Sequence, residues 1–268
     1  MLSASPASLV ASLVPDVREA ARQAGALAME QFRAGNQTAA RVWFKQGSSP
    51  VTEADLAVDA FLKRRLGDLL PEAAWLSEET TDDPVRLDRR FVWVVDPIDG
   101  TRSFAAGQSE WCVAIALLSD GDPILGILYA PALDLLYEAG IEGGSTLNGA
   151  GLRVATQAGP GDLRLSGPKP LMDRFARRAG PVACLPKIPS LALRIARVAD
   201  GTLDVGFAST NSHDWDIAAA DLILREAGGR LTDLAGAIPV YNRPRTTHGD
   251  LIAAASWLHP RAIGAMTA

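Results

Sequence analysis

Apolar positions recur at helical spacing near the start of the chain. After Pro15 come Val17, Ala20, Ala21, Ala24, Leu27, Ala28 and Phe32, a stripe that predicts a helix closed by Gly35 and Asn36. The mildly apolar stretch from Ala7 to Val14 lacks a basic flank and runs into Asp16, Arg18 and Glu19, so it reads as helix and not as a secretory leader. Val42, Phe44 and Lys45 mark a short hairpin-like segment leading to Gly47-Ser48-Ser49-Pro50. A second helix is expected to open at Thr52 and to bury Val58, Phe61, Leu62 and Leu66. Ala73-Ala74-Trp75-Leu76 predicts a short strand. Phe91-Val92-Trp93-Val94-Val95 has the composition of a fully buried strand, ending at Asp96, where Pro97 is expected to stop the ladder. Cys112 to Leu118 and Pro123 to Ala130, joined by Asp120-Gly121-Asp122, predict a hairpin that Leu135 to Ala139 continues. Tight turns are expected at Gly143-Gly144 and Asn148-Gly149.

The second half changes character. Apolar strands at Asp162 to Leu165, Leu203 to Phe207 and Leu251 to Ala255 alternate with helical stretches at Leu171 to Arg178, Leu191 to Val198 and Ile217 to Ala227. That alternation predicts an α/β layer with parallel strands. Gly and Pro gather between Val154 and Gly161, which divides the chain into residues 1–156 and 157–268. With 268 residues, 48% of them hydrophobic, a sizeable core is available. A formal charge of -5 argues against a nucleic-acid partner, which would want a basic face. Cys112 and Cys184 stand far apart outside any C-x-x-C spacing, which excludes a disulfide framework or zinc site and fits a reducing, cytoplasmic setting. No run approaches the ~20 apolar residues of a membrane span, so no membrane partner is expected.

Acids stand where a site could use them. Asp96 and Asp99 close the most apolar strand, Glu78-Glu79 ends a shorter one, Asp55 follows Thr52 at a helix start, and Asp214-Trp215-Asp216 precedes another helix. Taken singly, Thr52 with Asp55 reads as a capping box, Asp214 or Asp216 as an N-cap, and Glu78-Glu79 as a solvated loop. The Asp96/Asp99 pair resists such readings. Two acids at ~4 Å and an effective dielectric of ~20 repel by on the order of 4 kcal/mol, so a proton or a cation must sit between them. Hard oxygen donors without neighbouring His or Cys favour Mg²⁺ over zinc. No G-x-S-x-G elbow presents a serine to His213, His248 or His259, so a metal-activated water is the more economical nucleophile. Aspartyl-phosphate chemistry uses D-x-D-G-T, and here two residues, Pro97 and Ile98, separate the acids.

Asp96-Pro97-Ile98-Asp99-Gly100-Thr101 together with Trp215-Asp216-Ile217-Ala218-Ala219 resembles the paired signatures of the inositol monophosphatase family. Ser49 to Asp55 and Ser77-Glu78-Glu79 fit the same pattern in the same order. The resemblance implies a layered αβαβα sandwich, an antiparallel sheet followed by a mostly parallel one. It implies metal binding by Glu78, Asp96, Asp99, Asp216 and the carbonyl of Ile98. Asp55 and Thr101 would orient and deprotonate the attacking water, with Glu78 completing the catalytic set. Gly100 and Thr101 amides would receive the phosphate. Residues 1–156 would carry most of the ligands, and 157–268 would complete the active site and substrate pocket. Two or three Mg²⁺ would offset five carboxylates and a phosphate of about two charges. Lithium sensitivity and a homodimer are further family habits.

The substrate class that follows is a small phosphate ester. Where animal relatives place a glutamate that contacts inositol, this chain has Ser209, which weakens the inositol reading. Arg102 beside the phosphate loop resembles nucleotidase-like and histidinol-phosphatase-like members. Tyr241-Asn242-Arg243-Pro244 is similar to the bacterial 3′(2′),5′-bisphosphate nucleotidase branch, with Lys169, Arg194, Arg243 and Arg245 as spare cations for a second phosphate. The expected substrate is therefore 3′-phosphoadenosine 5′-phosphate, ahead of inositol 1-phosphate and then histidinol phosphate. Substrate contacts are expected from Gly100, Thr101, Arg102, Ser209 and Asp216. A non-catalytic phosphate-binding module is the alternative from another class, and the presence of both Asp55 and Thr101 speaks against it.

Overall fold

The structure is a computed structural model and describes residues 5–44, 50–157 and 161–267. Lys45 and residues 47–49 of the expected hairpin, and part of the expected boundary between Val154 and Gly161, lie outside the described residues. The first half runs α1 (Pro6–Met29), β1 (Val42–Phe44), β2 (Pro50–Thr52), α2 (Glu53–Leu69), β3 (Ala74–Ser77), β4 (Phe91–Asp99), α3 (Thr101–Ala105) and β5 (Cys112–Ser119). It continues through β6 (Asp122–Ala130), β7 (Leu135–Gly140), β8 (Gly144–Leu147) and β9 (Ala150–Leu152). The second half holds β10 (Leu163–Ser166), α4 (Lys169–Ala179), β11 (Val182–Cys184), α5 (Leu191–Ala199), β12 (Val205–Ala208) and β13 (Ser212–His213). After them come α6 (Asp214–Glu226), β14 (Gly229–Asp233), β15 (Thr247–His248), β16 (Leu251–Ala255) and α7 (His259–Thr267).

Strands β3 to β9 form a seven-stranded sheet in chain order, parallel between β3 and β4 and antiparallel thereafter. The second sheet has the order β11-β10-β12-β16-β14 and is mixed: its first three strands are parallel, and β16 runs antiparallel to both neighbours. Helices α1 and α2 cover one face of the first sheet, α5 and α6 fill the space between the sheets, and α4 and α7 close the far side. This is the αβαβα sandwich the resemblance implied, with one difference in the second sheet: Leu251–Ala255, expected as a parallel strand, runs antiparallel between β12 and β14 and makes the sheet mixed. Central strands are covered on both faces and therefore read as continuous apolar runs. In β4, Trp93 and Val95 pack toward α1 and α2, while Val92 and Val94 face the middle helices.

Four boundaries differ from expectation. Helix α1 ends at Met29, well short of the Gly35 expected to close it, which leaves Phe32 outside the helix although still buried. Pro15 does not open a helix but lies inside α1, which starts at Pro6 after the Ser5 cap. The lost N–H is tolerated because Pro15 and Ala11, whose carbonyl it would have served, are both exposed to water. Strand β4 does not stop at Asp96 but continues to Asp99. Helix α6 starts three residues earlier than Ile217, which puts Asp214 and Asp216 in its first turn instead of at the cap. Among the described residues, no helix is long and apolar enough to cross a membrane.

Candidate metal and phosphate site

Alternation along a strand should send Asp96 and Asp99 to opposite faces. The pairing with β5 explains why it does not. Asp96 lies opposite Ala114 and Asp99 opposite Cys112, so three residues of β4 span the distance of two on β5. This bulge inserts one extra residue and returns Asp99 to the face of Asp96. Ala114 and Cys112 belong to the core between the sheets, whereas Ile98 packs on the α1/α2 side. Both acids thus look toward the middle helices.

Those helices meet them. Gly126 on β6 lets α6 lie close, since a Cβ there would come within 2.6 Å of the Ala219 carbonyl. The first turn of α6 then carries Asp216 to the end of β4. One carboxylate oxygen each from Asp96, Asp99 and Asp216 lies within 4.8 Å of the others. Asp216 Oδ2 accepts from the His213 N–H at 2.6 Å, and Asp96 Oδ1 accepts from the Ile98 N–H at 3.0 Å. Asp99 is received by the start of α5. Its Oδ2 accepts from Ser190 Oγ at 2.5 Å and the Ala192 N–H at 2.7 Å, and its Oδ1 from the Leu191 N–H at 3.2 Å. The positive end of a helix is a favourable place for a carboxylate.

Asp55 bridges two roles. Thr52 caps α2, and Asp55 Oδ2 answers by accepting the Thr52 N–H at 2.8 Å, so the capping box is real. Its other oxygen accepts from Thr101 Oγ1 at 3.1 Å, and Thr101 Oγ1 also lies 3.0 Å from the Ile98 carbonyl. A single hydroxyl hydrogen serves two acceptors there. Gly100 introduces α3 at φ +96°, a conformation that favours glycine, and a Cβ would meet the Glu110 carbonyl at 3.0 Å.

Burial raises every one of these carboxyls. Asp55 is pushed up to about 6, with hydrogen bonds from Thr52 and Thr101 opposing the burial. Asp99 reaches about 6 despite the Ser190, Ala192 and Leu191 donors. Asp96 rises well above its usual range through burial and then through the charges of Glu78, Asp99, Asp216 and Asp55. Asp216 does so through burial and then Asp99. Among the described residues, none of Asp96, Asp99 and Asp216 is paired with Lys or Arg. Arg194 acts on Asp99 from a distance without pairing with it. Convergent carboxylate oxygens that no Lys or Arg pairs with are what a hard cation requires, so the residues present fit a metal ion.

A cavity of about 550 Å³ opens onto the cluster, lined by Glu78, Asp96, Asp99, Gly100, Thr101, Arg102 and Asp216 among others. Most of the predicted residues meet here, Asp55 and Ile98 from behind through Thr101, although the Glu78 carboxylate is not among the three that converge within 4.8 Å. Ser209 is exposed just past β12 and does not line this cavity. Of the proposed spare cations, Lys169 is exposed and bonds Asp173 at 2.7 Å, while Arg194 is buried against the carbonyls of Ile188 and Phe207. Arg243 and Arg245 are exposed and line no part of it.

Tyr241 and Asn242 serve the frame. Tyr241 donates to Asp221 Oδ2 at 2.9 Å, and the Asn242 N–H donates to Asp214 Oδ2 at 2.9 Å. His248 Nε2 lies 2.7 Å from Asp214 Oδ1, which ties β15 to the first turn of α6. Sequence reasoning missed Lys187 and Gln108 in the cavity wall and Ser190 behind Asp99. Ser190 carried a readable signal, as a serine directly before an apolar helix. Lys187 and Gln108 carried none. Asp59 was also missed: it accepts from Ser77 Oγ and, at 2.6 Å, from Thr80 Oγ1, fixing both sides of Glu78 to α2.

Comparison with known proteins agrees with this geometry. The family model described as "Inositol monophosphatase family" matches residues 12–267. A 3′(2′),5′-bisphosphate nucleotidase CysQ of Aggregatibacter actinomycetemcomitans is 32% identical, over 88% of this chain and 89% of its own. Inositol monophosphatase 2 of Solanum lycopersicum is 32% identical over 81% of this chain and 86% of its own. A histidinol-phosphatase of Mycobacterium tuberculosis is 35% identical over 73% and 78%. Among solved structures, the extragenic suppressor protein suhB of Bartonella henselae superposes with a TM-score of 0.83 at 26% identity, covering 96% of this chain and 98% of that one.

Proposed function

Because the chain belongs to the inositol monophosphatase family, we propose that it is a Mg²⁺-dependent phosphoric monoester hydrolase acting on 3′-phosphoadenosine 5′-phosphate. The observation that carries the reading is the convergence of Asp96, Asp99 and Asp216, none of them ion-paired with Lys or Arg among the described residues, beside Thr101 and Asp55. In this proposal Glu78, Asp96, Asp99, Asp216 and the Ile98 carbonyl hold two or three Mg²⁺. The ions supply Lewis-acid stabilisation of the phosphoryl oxygens and a lowered pKa for attacking water. Residues 1–156 contribute most of these groups, and residues 157–268 bring Asp216 and the α5 start that grips Asp99.

The remaining roles fall to this chain's own groups. Thr101 Oγ1 orients the water, and Asp55 accepts its proton through Oδ1. Asp55 is placed for this by geometry, since its Oδ1 already accepts from the Thr101 hydroxyl at 3.1 Å. The N–H groups of Gly100 and Thr101, at the start of α3, receive phosphate oxygens. Arg102 and Lys187 in the cavity wall oppose the acids and suit an anionic ester. The nucleotide substrate is supported by the CysQ relative and by these two cations. Relative kcat/KM on 3′-phosphoadenosine 5′-phosphate, inositol 1-phosphate and histidinol phosphate at fixed Mg²⁺ tests it. Preference for the nucleotide is expected. Preference for inositol 1-phosphate would move the chain to that activity, and Mg²⁺-independent turnover would remove the metal assignment.

A further inference from the structure

A second cleft, of about 590 Å³, adjoins the catalytic cavity. The two share Pro50, Arg102 and Ala106 as a common wall. The outer side of the cleft is built by β1, where Val42 and Phe44, two residues apart, share one face. Phe44 is 70% exposed and Val42 38%, a large apolar exposure for residues pinned in a short strand. Ala105 and Ala106 form part of the apolar floor, and Asn36, Gln37 and Arg102 supply the polar groups. The wall is coupled to the chemistry, because β1 pairs with β2 and Val42 lies opposite Thr52, the residue that clamps Asp55.

We propose that this cleft binds the flat ring of the ester's leaving group against Phe44, making the enzyme selective for phosphate esters of nucleoside-like alcohols over polyols. The inference rests on the phosphatase reading and adds to it a place for the part of the substrate that does not react. A polyol seated on Val42, Phe44, Pro50 and Ala106 would turn hydroxyls against apolar carbon on that wall, with only the edge groups Asn36, Gln37 and Arg102 to replace water. A planar heteroaromatic ring would stack on Phe44 and turn its polar edge to the Asn36 and Gln37 amides. Arg102, standing in both cavities, is placed for a second anionic group between ring and reacting phosphate. Lys187 lies in the same field: partial burial, then Arg194 and Arg102, hold its amine below the usual range.

The test compares wild type, Phe44→Ala, Phe44→Trp and, as a control, Ile238→Ala, which removes an equally exposed apolar side chain outside the cleft. Steady-state kinetics on adenosine 3′,5′-bisphosphate and inositol 1-phosphate are paired with calorimetric titration of adenosine 5′-monophosphate into Mg²⁺-loaded protein. Phe44→Ala should lower the nucleotide-to-polyol ratio of kcat/KM about tenfold, mainly through KM, and weaken nucleotide binding by a similar factor. Phe44→Trp should restore both, and Ile238→Ala should leave them unchanged. An unchanged ratio in Phe44→Ala, or an equal fall on both substrates, overturns the inference. Failure of wild type to hydrolyse any phosphate, with Phe44-dependent nucleotide binding intact, would instead reject the phosphatase reading and keep the ring site. Turnover and nucleotide binding that both ignore Phe44 would do the reverse.

Discussion

Asp96→Asn should make the metal-free protein more stable while abolishing its activity. The asparagine keeps the size of the side chain and the oxygen that accepts the Ile98 N–H, so the bulge in β4 loses no hydrogen bond. What disappears is one negative charge, within 4.8 Å of carboxylate oxygens of Asp99 and Asp216. At an effective dielectric of about 20, each such pair repels by roughly 3 kcal/mol. Proton uptake already relieves part of that repulsion in the wild type, because burial and mutual charge raise these carboxyls. A net gain of about 2 to 4 kcal/mol remains, roughly 5–10 °C in Tm for a chain of this size.

The assay is a thermal melt at pH 7.5, in chelator and in excess Mg²⁺, with phosphate release measured on the same samples. The order of stability should invert. Without metal, Asp96→Asn should melt above wild type. With Mg²⁺, wild type should gain stability by mass action and the variant should gain little. A variant that melts below wild type in chelator and still releases phosphate in a Mg²⁺-dependent manner would refute both the electrostatics and the ligand assignment.

Stability of the metal-free protein should fall as pH rises. Asp55 and Asp99 have folded values near 6, above the unfolded 3.8, so the native state holds the extra protons between about pH 4 and 6 and loses that advantage through the window. Melts in chelator from pH 5 to 7.5 should show the drop, and Mg²⁺ should restore Tm more at pH 7.5 than at pH 5, where protons compete for the same oxygens. Ser190→Ala removes the cap that accepts the Leu193 N–H at 3.1 Å and the donor that grips Asp99. It should cost about 1 kcal/mol in stability and raise the Mg²⁺ concentration for half-maximal activity about tenfold. A lowered Tm with unchanged Mg²⁺ dependence would separate Asp99 from the metal.

Much of this site was legible because its acids sit at element ends, where apolar periodicity stops abruptly. Asp96 and Asp99 stood out since an apolar strand should not end in two acids, and the helix after Asp216 was plain from its alanine and leucine spacing. Their convergence was less legible. A strand read by alternation separates Asp96 from Asp99, and only the register against Ala114 and Cys112 reveals the extra residue. The same blindness to partners misread the cations. Arg194, charged and mid-helix, looked available, yet it is spent on two backbone carbonyls, whereas Lys187 in an irregular segment gave no periodic cue and reached the cavity. Pro15 misled for a related reason: its cost depends on whether the deserted carbonyl faces water, which is a property of the fold.

The layering gives the charge cluster a mechanical meaning. Asp96 and Asp99 belong to the first sheet, while Asp216 belongs to a helix lodged between the two sheets. Their repulsion pushes those layers apart about one helical turn along α6 from the close approach of Ala219 to Gly126. A cation among the three carboxylates converts that repulsion into a bridge between layers, so metal loading and interlayer packing are one equilibrium. The hydrogen bonds at the rim resist the strain when the cation is gone. Ser190 and the α5 amides hold Asp99 from the middle layer, and the His248–Asp214 contact holds the first turn of α6 from β15. Those groups therefore carry a double duty that follows from position alone: they keep the acids aimed before an ion arrives, and they keep the layers together while it is absent.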